Sequence, residues 1–181
     1  MNTDDQGRSR DALSNPQRAV QAAVLGTLLG LPVAATASEP TVSVVESVQL
    51  GASASRIWGA IADFGAWPSW HPAFAGTQML QGDGHSKGAV RALVTQDGGK
   101  FTEELVDFDA AARSYQYRII ESPAPVFDYV STIRVQETAT GSTVVWSSHF
   151  KVKAGTSEAD AKRLISAVYR AGLDNLAAVI E

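Results

Sequence analysis

Cysteine is absent from all 181 residues. That removes disulfides, thiol nucleophiles and thiolate metal sites, and leaves the fold to be held by packing, without arguing against an oxidising compartment. Histidine is scarce: His71, His85 and His149 are the only three. With no HExxH or HxH spacing among them, no dedicated metal site is expected. Basic charge is not concentrated either. The formal net charge is −4 and no basic stripe stands out, so the field that draws a protein onto nucleic acid is missing. There is no GxSxG elbow, no GxGxxG after a strand and no GxxxxGK loop, and Gly82-Asp83-Gly84 falls in a hairpin with no helix behind it to receive a phosphate. No cofactor is implied.

What is present begins with a separate amino end. Residues 1 to 18 are polar, with Arg8, Arg10 and Arg18 set against Asp4, Asp5 and Asp11. An apolar run follows from Ala19 to Ala35, interrupted by Gln21 and broken near its end by Pro32. It is shorter than the roughly 20 residues a membrane span needs. Small residues close it in Ala35-Thr36-Ala37, so the order of segments predicts a secretory signal over 1–37, cleaved after Ala37. The mature chain, residues 38–181, would then be periplasmic or secreted with no membrane span. Arg8 and Arg10 are separated by Ser9, so the twin-arginine pattern is not met. The alternative is an uncleaved leader on a cytoplasmic protein.

The remainder is long enough for one domain with a substantial core. Thr41 to Leu50 is rich in β-branched residues and predicts a strand. Ser53 can cap a short helix carrying Ile57, Trp58 and Ile61 on one face, closed by Phe64. Further strands are expected over 76–82, 87–95, 100–107, 113–120, 126–138 and 142–153, punctuated by Gly- and Asp-rich turns. Their short separations predict a seven-stranded antiparallel meander. From Ser157 to Ile180 the period lengthens. Ala161, Leu164, Ile165, Val168, Gly172, Leu176 and Ile180 recur at three and four, an amphipathic helix whose apolar face would pack into the concave side of a bent sheet. The fold class is thus α+β, with an apolar pocket between sheet and helix.

Three segments carry a family resemblance: RIWGAIADFGAWPSWHP from Arg56 to Pro72, FTEELVDFDAAARSYQYRI from Phe101 to Ile119, and Val145-Trp146. Together they resemble the SRPBCC superfamily, the START-like or birch-pollen-allergen helix-grip fold, and within it the polyketide cyclase/dehydrase-like and lipid-transport group. The resemblance runs from about Val42 to Val179. It implies an elongated cavity holding an apolar or aromatic small molecule. It extends to exported members that accompany periplasmic dehydrogenase systems, which implies an envelope protein as a second possible partner. One fold in this superfamily serves many functions, so it selects no reaction.

Strand alternation supplies the candidate lining. Tyr115 and Tyr117 share a face with Ile119; Phe127 and Tyr129 share one with Ser131, Ile133 and Val135; Trp146 and Phe150 share one with Val144, Ser148 and Val152, leaving His149 outside. These aromatics either pack a dry core or line a pocket, and the tyrosine hydroxyls need polar partners in both cases. Leu164 and Val168 would close the pocket from the helix. Phe101 and Glu103 share an inward face with Leu105. A one-residue slip would put Glu104 in place of Glu103. An inward carboxylate could orient a ligand or act as acid or base.

Trp67-Pro68-Ser69-Trp70-His71-Pro72 is expected to form an aromatic rim over one pocket mouth, with Phe74 beside it. His71 is either a proton-transfer group or a structural histidine capping carbonyls; His85 is expected in solvent. Three functions follow. The first is carriage of a small hydrophobic molecule or lipid. The second is a cyclase, dehydratase or isomerase with Glu103 and His71 as catalytic proton-transfer groups and Tyr129 or Tyr117 donating to an enolate. The third is a docking module presenting Trp67, Trp70 and Phe74 as an exposed patch.

Overall fold

The first strand, β1 (Val42–Leu50), pairs antiparallel with the last, β7 (Gly141–Val152), from Val42 opposite Phe150 to Leu50 opposite Ser142. The computed structural model describes residues 40–180, and the expected signal segment lies outside them. Between β1 and the rest of the sheet stand α1 (Ala54–Ile61) and a 3-10 turn (Trp67–Ser69), which carry the chain to the opposite edge. There β2 (Phe74–Gln81) begins a run of hairpins through β3 (Val90–Thr95), β4 (Lys100–Asp109), β5 (Ser114–Glu121) and β6 (Val126–Thr138) to β7. The sheet order is β1-β7-β6-β5-β4-β3-β2. The expected seven-stranded meander is therefore a six-stranded one closed by β1, because the connection through α1 is long enough to reach the far edge.

Local chemistry explains the elements. Ser53 Oγ accepts the Arg56 N–H at the start of α1, and Ala54, Ile57 and Ile61 form its buried face. In β7, Val144, Trp146, Ser148 and Phe150 are buried while His149 is exposed, the alternation a half-buried strand dictates. Register shifts in β2–β3, β4–β5 and β6–β7 mark bulges, which bend strands and sharpen their twist.

The long helix α2 (Glu158–Ile180) starts at Ser157, whose Oγ accepts the Asp160 N–H. Its buried face is Ala161, Ile165, Tyr169, Gly172, Leu173, Leu176 and Ile180. Side chains fasten it to β1: Ser166 hydrogen-bonds Glu46, and Arg170 ion-pairs with the same carboxylate. Leu164, expected on that buried face, is 44% exposed instead. Gly172 permits close approach, since a Cβ there would lie 2.6 Å from His71 Cδ2 and 3.0 Å from Trp146 Cζ3. Among the described residues no helix is long and apolar enough to cross a membrane.

Candidate functional site

A cavity of about 510 Å³ lies between the sheet and α2. Its fully buried wall is Trp67, Glu103, Tyr117, Tyr129, Trp146, Ile165 and Tyr169, with Phe74 beside them. Its outer part is framed by the β3–β4 hairpin (Thr95, Gln96, Asp97, Gly99), the β5–β6 connection (Pro123, Ala124, Pro125) and Leu164 and Val168 of α2. Exposed Gln96, Asp97, Pro123 and Leu164 mark the mouth. Phe101, Ile119, Ala124 and Val168 line the region between as half-buried apolar residues. The cavity thus opens at hairpin tips and closes on a tyrosine- and tryptophan-rich inner wall.

Polar chemistry on that inner wall has two parts. Glu103 faces inward, and its neighbour Glu104 faces outward to pair with Arg118 at 2.5 Å. Glu103 Oε2 accepts from Arg91 Nε at 2.9 Å and Nη2 at 2.6 Å. Arg91 is wholly buried, its guanidinium 3.7 Å from the ring centroids of both Phe64 and Trp67, and it also donates to the Phe64 carbonyl. Burial pushes the Glu103 carboxyl above its usual range, and the Arg91 charge and hydrogen bonds pull it back.

The second part is a hydroxyl cluster. Tyr117 and Tyr129 approach to 3.5 Å, Tyr129 bonds Tyr169, and Tyr169 bonds Ser131 at 3.0 Å. Trp146 Nε1 donates to Ser131 at 2.9 Å and to Tyr117 at 3.2 Å, and its ring stacks on Tyr169 at 4.3 Å. Desolvation raises the Tyr117, Tyr129 and Tyr169 hydroxyls well above the normal tyrosine range, so they stay protonated.

The rim expected over the mouth is instead an inner support. Trp67 and Trp70 are each 2% exposed and His71 is fully buried. The 3-10 turn folds inward because its aromatics pack on one another and on Trp146, with Trp67 stacked on His71 at 5.7 Å. His71 Nε2 donates to the Val168 carbonyl at 3.1 Å, and Nδ1 accepts the Ala73 N–H at 3.2 Å. A carbonyl only accepts and an amide N–H only donates, so the neutral Nε2–H tautomer is fixed. Desolvation chiefly, with the Arg91 charge assisting, lowers the His71 pKa to about 4.

Of the residues singled out by sequence, the cavity brings together Trp67, Phe74, Phe101, Glu103, Tyr117, Tyr129, Trp146, Leu164 and Val168. Trp70, His71, Tyr115 and Phe150 lie in the surrounding core. Phe127 is a correction. Asp128 adopts φ 49° within a bulge, which shifts the period so that Val126 is buried and Phe127 turns to the outer face, near Lys151. The exposed Trp67–Trp70–Phe74 patch is also corrected, since all three are buried. His85, expected in solvent, is exposed.

Sequence reasoning passed over Arg91 and Tyr169. Arg91 sits directly opposite Glu103 in a hairpin centred on Asp97, a cross-strand charge pair that the turn position alone could have flagged. Tyr169 follows Ile165 at a spacing of four, the helical signal its hydroxyl disguised.

Comparison with curated proteins returns no match. Solved structures are similar throughout the domain. The protein XoxI of Bacillus cereus is 30% identical, with a TM-score of 0.71, covering 77% of this chain and 95% of that one. An uncharacterised Bacillus thuringiensis protein is 31% identical with a TM-score of 0.70, over 76% of this chain and 98% of that one. A Nitrosospira multiformis protein is 26% identical with a TM-score of 0.67, over 78% and 97% respectively. Residues 41–181 match the polyketide cyclase/dehydrase and lipid transport family. With the helix-grip architecture and an inner cavity beside that match, the chain belongs to the polyketide cyclase/dehydrase and lipid transport family.

Proposed function

We propose that the domain carries a small, largely apolar molecule in the cavity between sheet and α2, in the cell envelope, without transforming it. The observation that carries this reading is the cavity itself. Its volume of about 510 Å³ is in the range of small-molecule sites, and its wall combines apolar side chains with a few convergent polar groups. Burial of ligand surface at roughly 25 cal/mol per Å² supplies affinity without chemistry.

Acid–base turnover is the less favoured reading. It needs two proton-transfer groups converging on one substrate atom. Glu103 lines the cavity but is held by Arg91, and His71 lies behind the wall with both ring nitrogens engaged. Envelope residence is supported by the order of charged, apolar and small residues before Ser38.

Native mass spectrometry of the protein recovered from its own host envelope tests both parts. A denatured mass beginning at Ser38 and a native mass carrying a reproducible small-molecule excess are expected. A retained leader would overturn the export reading. A protein that neither retains nor takes up any apolar molecule would overturn the carrier reading.

A further inference from the structure

The polar groups on the inner wall have a direction. Ser131 Oγ has one proton, and the Ser147 carbonyl, 2.9 Å away, can only accept it. Ser131 must then accept from both Trp146 Nε1 and Tyr169. Tyr169, having given its proton to Ser131, accepts from Tyr129, and Tyr129 in turn presents a lone pair towards Tyr117. The chain runs one way, from Tyr117 to the β7 backbone. Its longest link is the 3.5 Å gap between Tyr117 and Tyr129, beyond good hydrogen-bond length. Within this chain of hydroxyls the Tyr117 proton is therefore the one least committed.

A second residue of the cavity wall carries an unmatched acceptor. Arg91 Nε and Nη2 both donate to Glu103 Oε2, and among the described residues Glu103 Oε1 makes no hydrogen bond although the residue is only 3% exposed. Glu103 pairs with Ile119 and Leu105 with Tyr117, so Glu103 and Tyr117 are diagonal neighbours on one face of β4 and β5. Both line the cavity. The inner wall accordingly offers one available O–H donor and one available carboxylate oxygen from diagonal neighbours on the same face.

Resting on the carrier reading above, we infer that the ligand is a neutral aromatic or alicyclic molecule whose inner end is a hydroxyl group, accepting from Tyr117 and donating to Glu103 Oε1. The competing end groups fit less well. A carboxylate brings only acceptors and sets negative oxygen against Glu103. A ketone can take the Tyr117 proton but leaves Oε1 desolvated and unpaired, which is costly. An ammonium would add a second buried cation to a pair that Arg91 already neutralises.

Equilibrium dialysis of the full chain at neutral pH against 2-naphthol, 2-methylnaphthalene and 2-naphthoate separates these cases. Naphthol is expected to bind about tenfold or more tighter than methylnaphthalene, the usual scale of a hydrogen bond to a charged group, with naphthoate weakest. Tyr117→Phe, which leaves the Arg91–Glu103 pair and the Glu103 acceptor intact, should lower naphthol affinity severalfold more than methylnaphthalene affinity. Equal binding of naphthol and methylnaphthalene, tightest binding of naphthoate, or an equal loss for naphthol and methylnaphthalene in Tyr117→Phe would overturn the hydroxyl inference while leaving the carrier reading intact. Binding of none of the three by the wild-type chain would instead overturn the carrier reading.

Discussion

Arg91 and Glu103 face each other across the β3–β4 hairpin as a buried ion pair, 2.6 Å apart, with side-chain exposures of 0% and 4%. The arginine has nowhere else to place its charge, being clamped between the rings of Phe64 and Trp67. A pair this dry gains little against a hydrophobic substitute of similar volume, but breaking one half strands the other.

Glu103→Ala should therefore destabilise the domain by about 3–5 kcal/mol, read as a shift in urea midpoint. The double variant Arg91→Met with Glu103→Leu should lose less than Glu103→Ala alone. Glu104→Ala, which breaks a pair whose Arg118 side chain is 55% exposed, should cost under about 1 kcal/mol. If Glu103→Ala and Glu104→Ala proved equally mild, the buried pair would not be structural.

His71 predicts a pH dependence of stability. Its pKa falls from 6.5 to about 4 in the folded protein, so between those values the unfolded chain binds a proton that the folded chain refuses. More protons bound when unfolded means stability rises with pH through this window and is lost as pH falls. The contribution is at most about 3 kcal/mol between neutral pH and pH 4. Glu103, whose carboxyl is raised, works in the opposite sense, so the histidine part is isolated by difference. Denaturation at pH 7 and pH 4.5 should show a smaller pH loss in His71→Asn than in wild type. An unchanged loss would mean that the histidine is not held neutral by the core.

Much of this arrangement was legible in the sequence, and the exceptions share a cause. The β7 alternation of Val144, Trp146, Ser148 and Phe150 reads directly because nothing interrupts a period of two. Phe127 was misplaced because the bulge at Asp128 inserts a residue, and a positive φ at aspartate leaves no Gly or Pro to announce it. Glu103 was placed on the inner face from alternation alone, but its partner was not, since an arginine flanked by Val90 and Ala92 reads as a solvated strand position. The aromatic rim failed for a different reason. Pro68 and Pro72 stop helix and strand alike, but the inward turn of the segment is decided by tertiary contacts with Trp146 and α2, which local sequence does not contain.

Gly172 tests how closely α2 must approach the 3-10 turn. A methyl there would meet His71 Nε2 at 2.8 Å as well as the His71 and Trp146 ring carbons, and none of these is the free end of a flexible side chain. Gly172→Ala would raise intrinsic helix propensity, normally stabilising by up to about 1 kcal/mol, yet it should destabilise by about 1–3 kcal/mol because the core is overpacked. Thermal denaturation decides the sign. A raised midpoint would show that the helix can shift outward at no cost.

Filling the cavity should abolish binding without unfolding the protein. Val168 lines it from α2 with a half-buried side chain, while the backbone carbonyl of the same residue holds His71. Val168→Trp keeps that carbonyl and places a large ring in open space, so the core is not compressed as it is at Gly172. Affinity for 2-naphthol should fall at least about tenfold, while stability changes by no more than about 1 kcal/mol. Circular dichroism and urea titration check the second expectation before dialysis reads the first. Retained affinity in a well-folded variant would place the binding site elsewhere, and the outer groove around Arg118, Phe127 and Lys153 would be the surface to examine next.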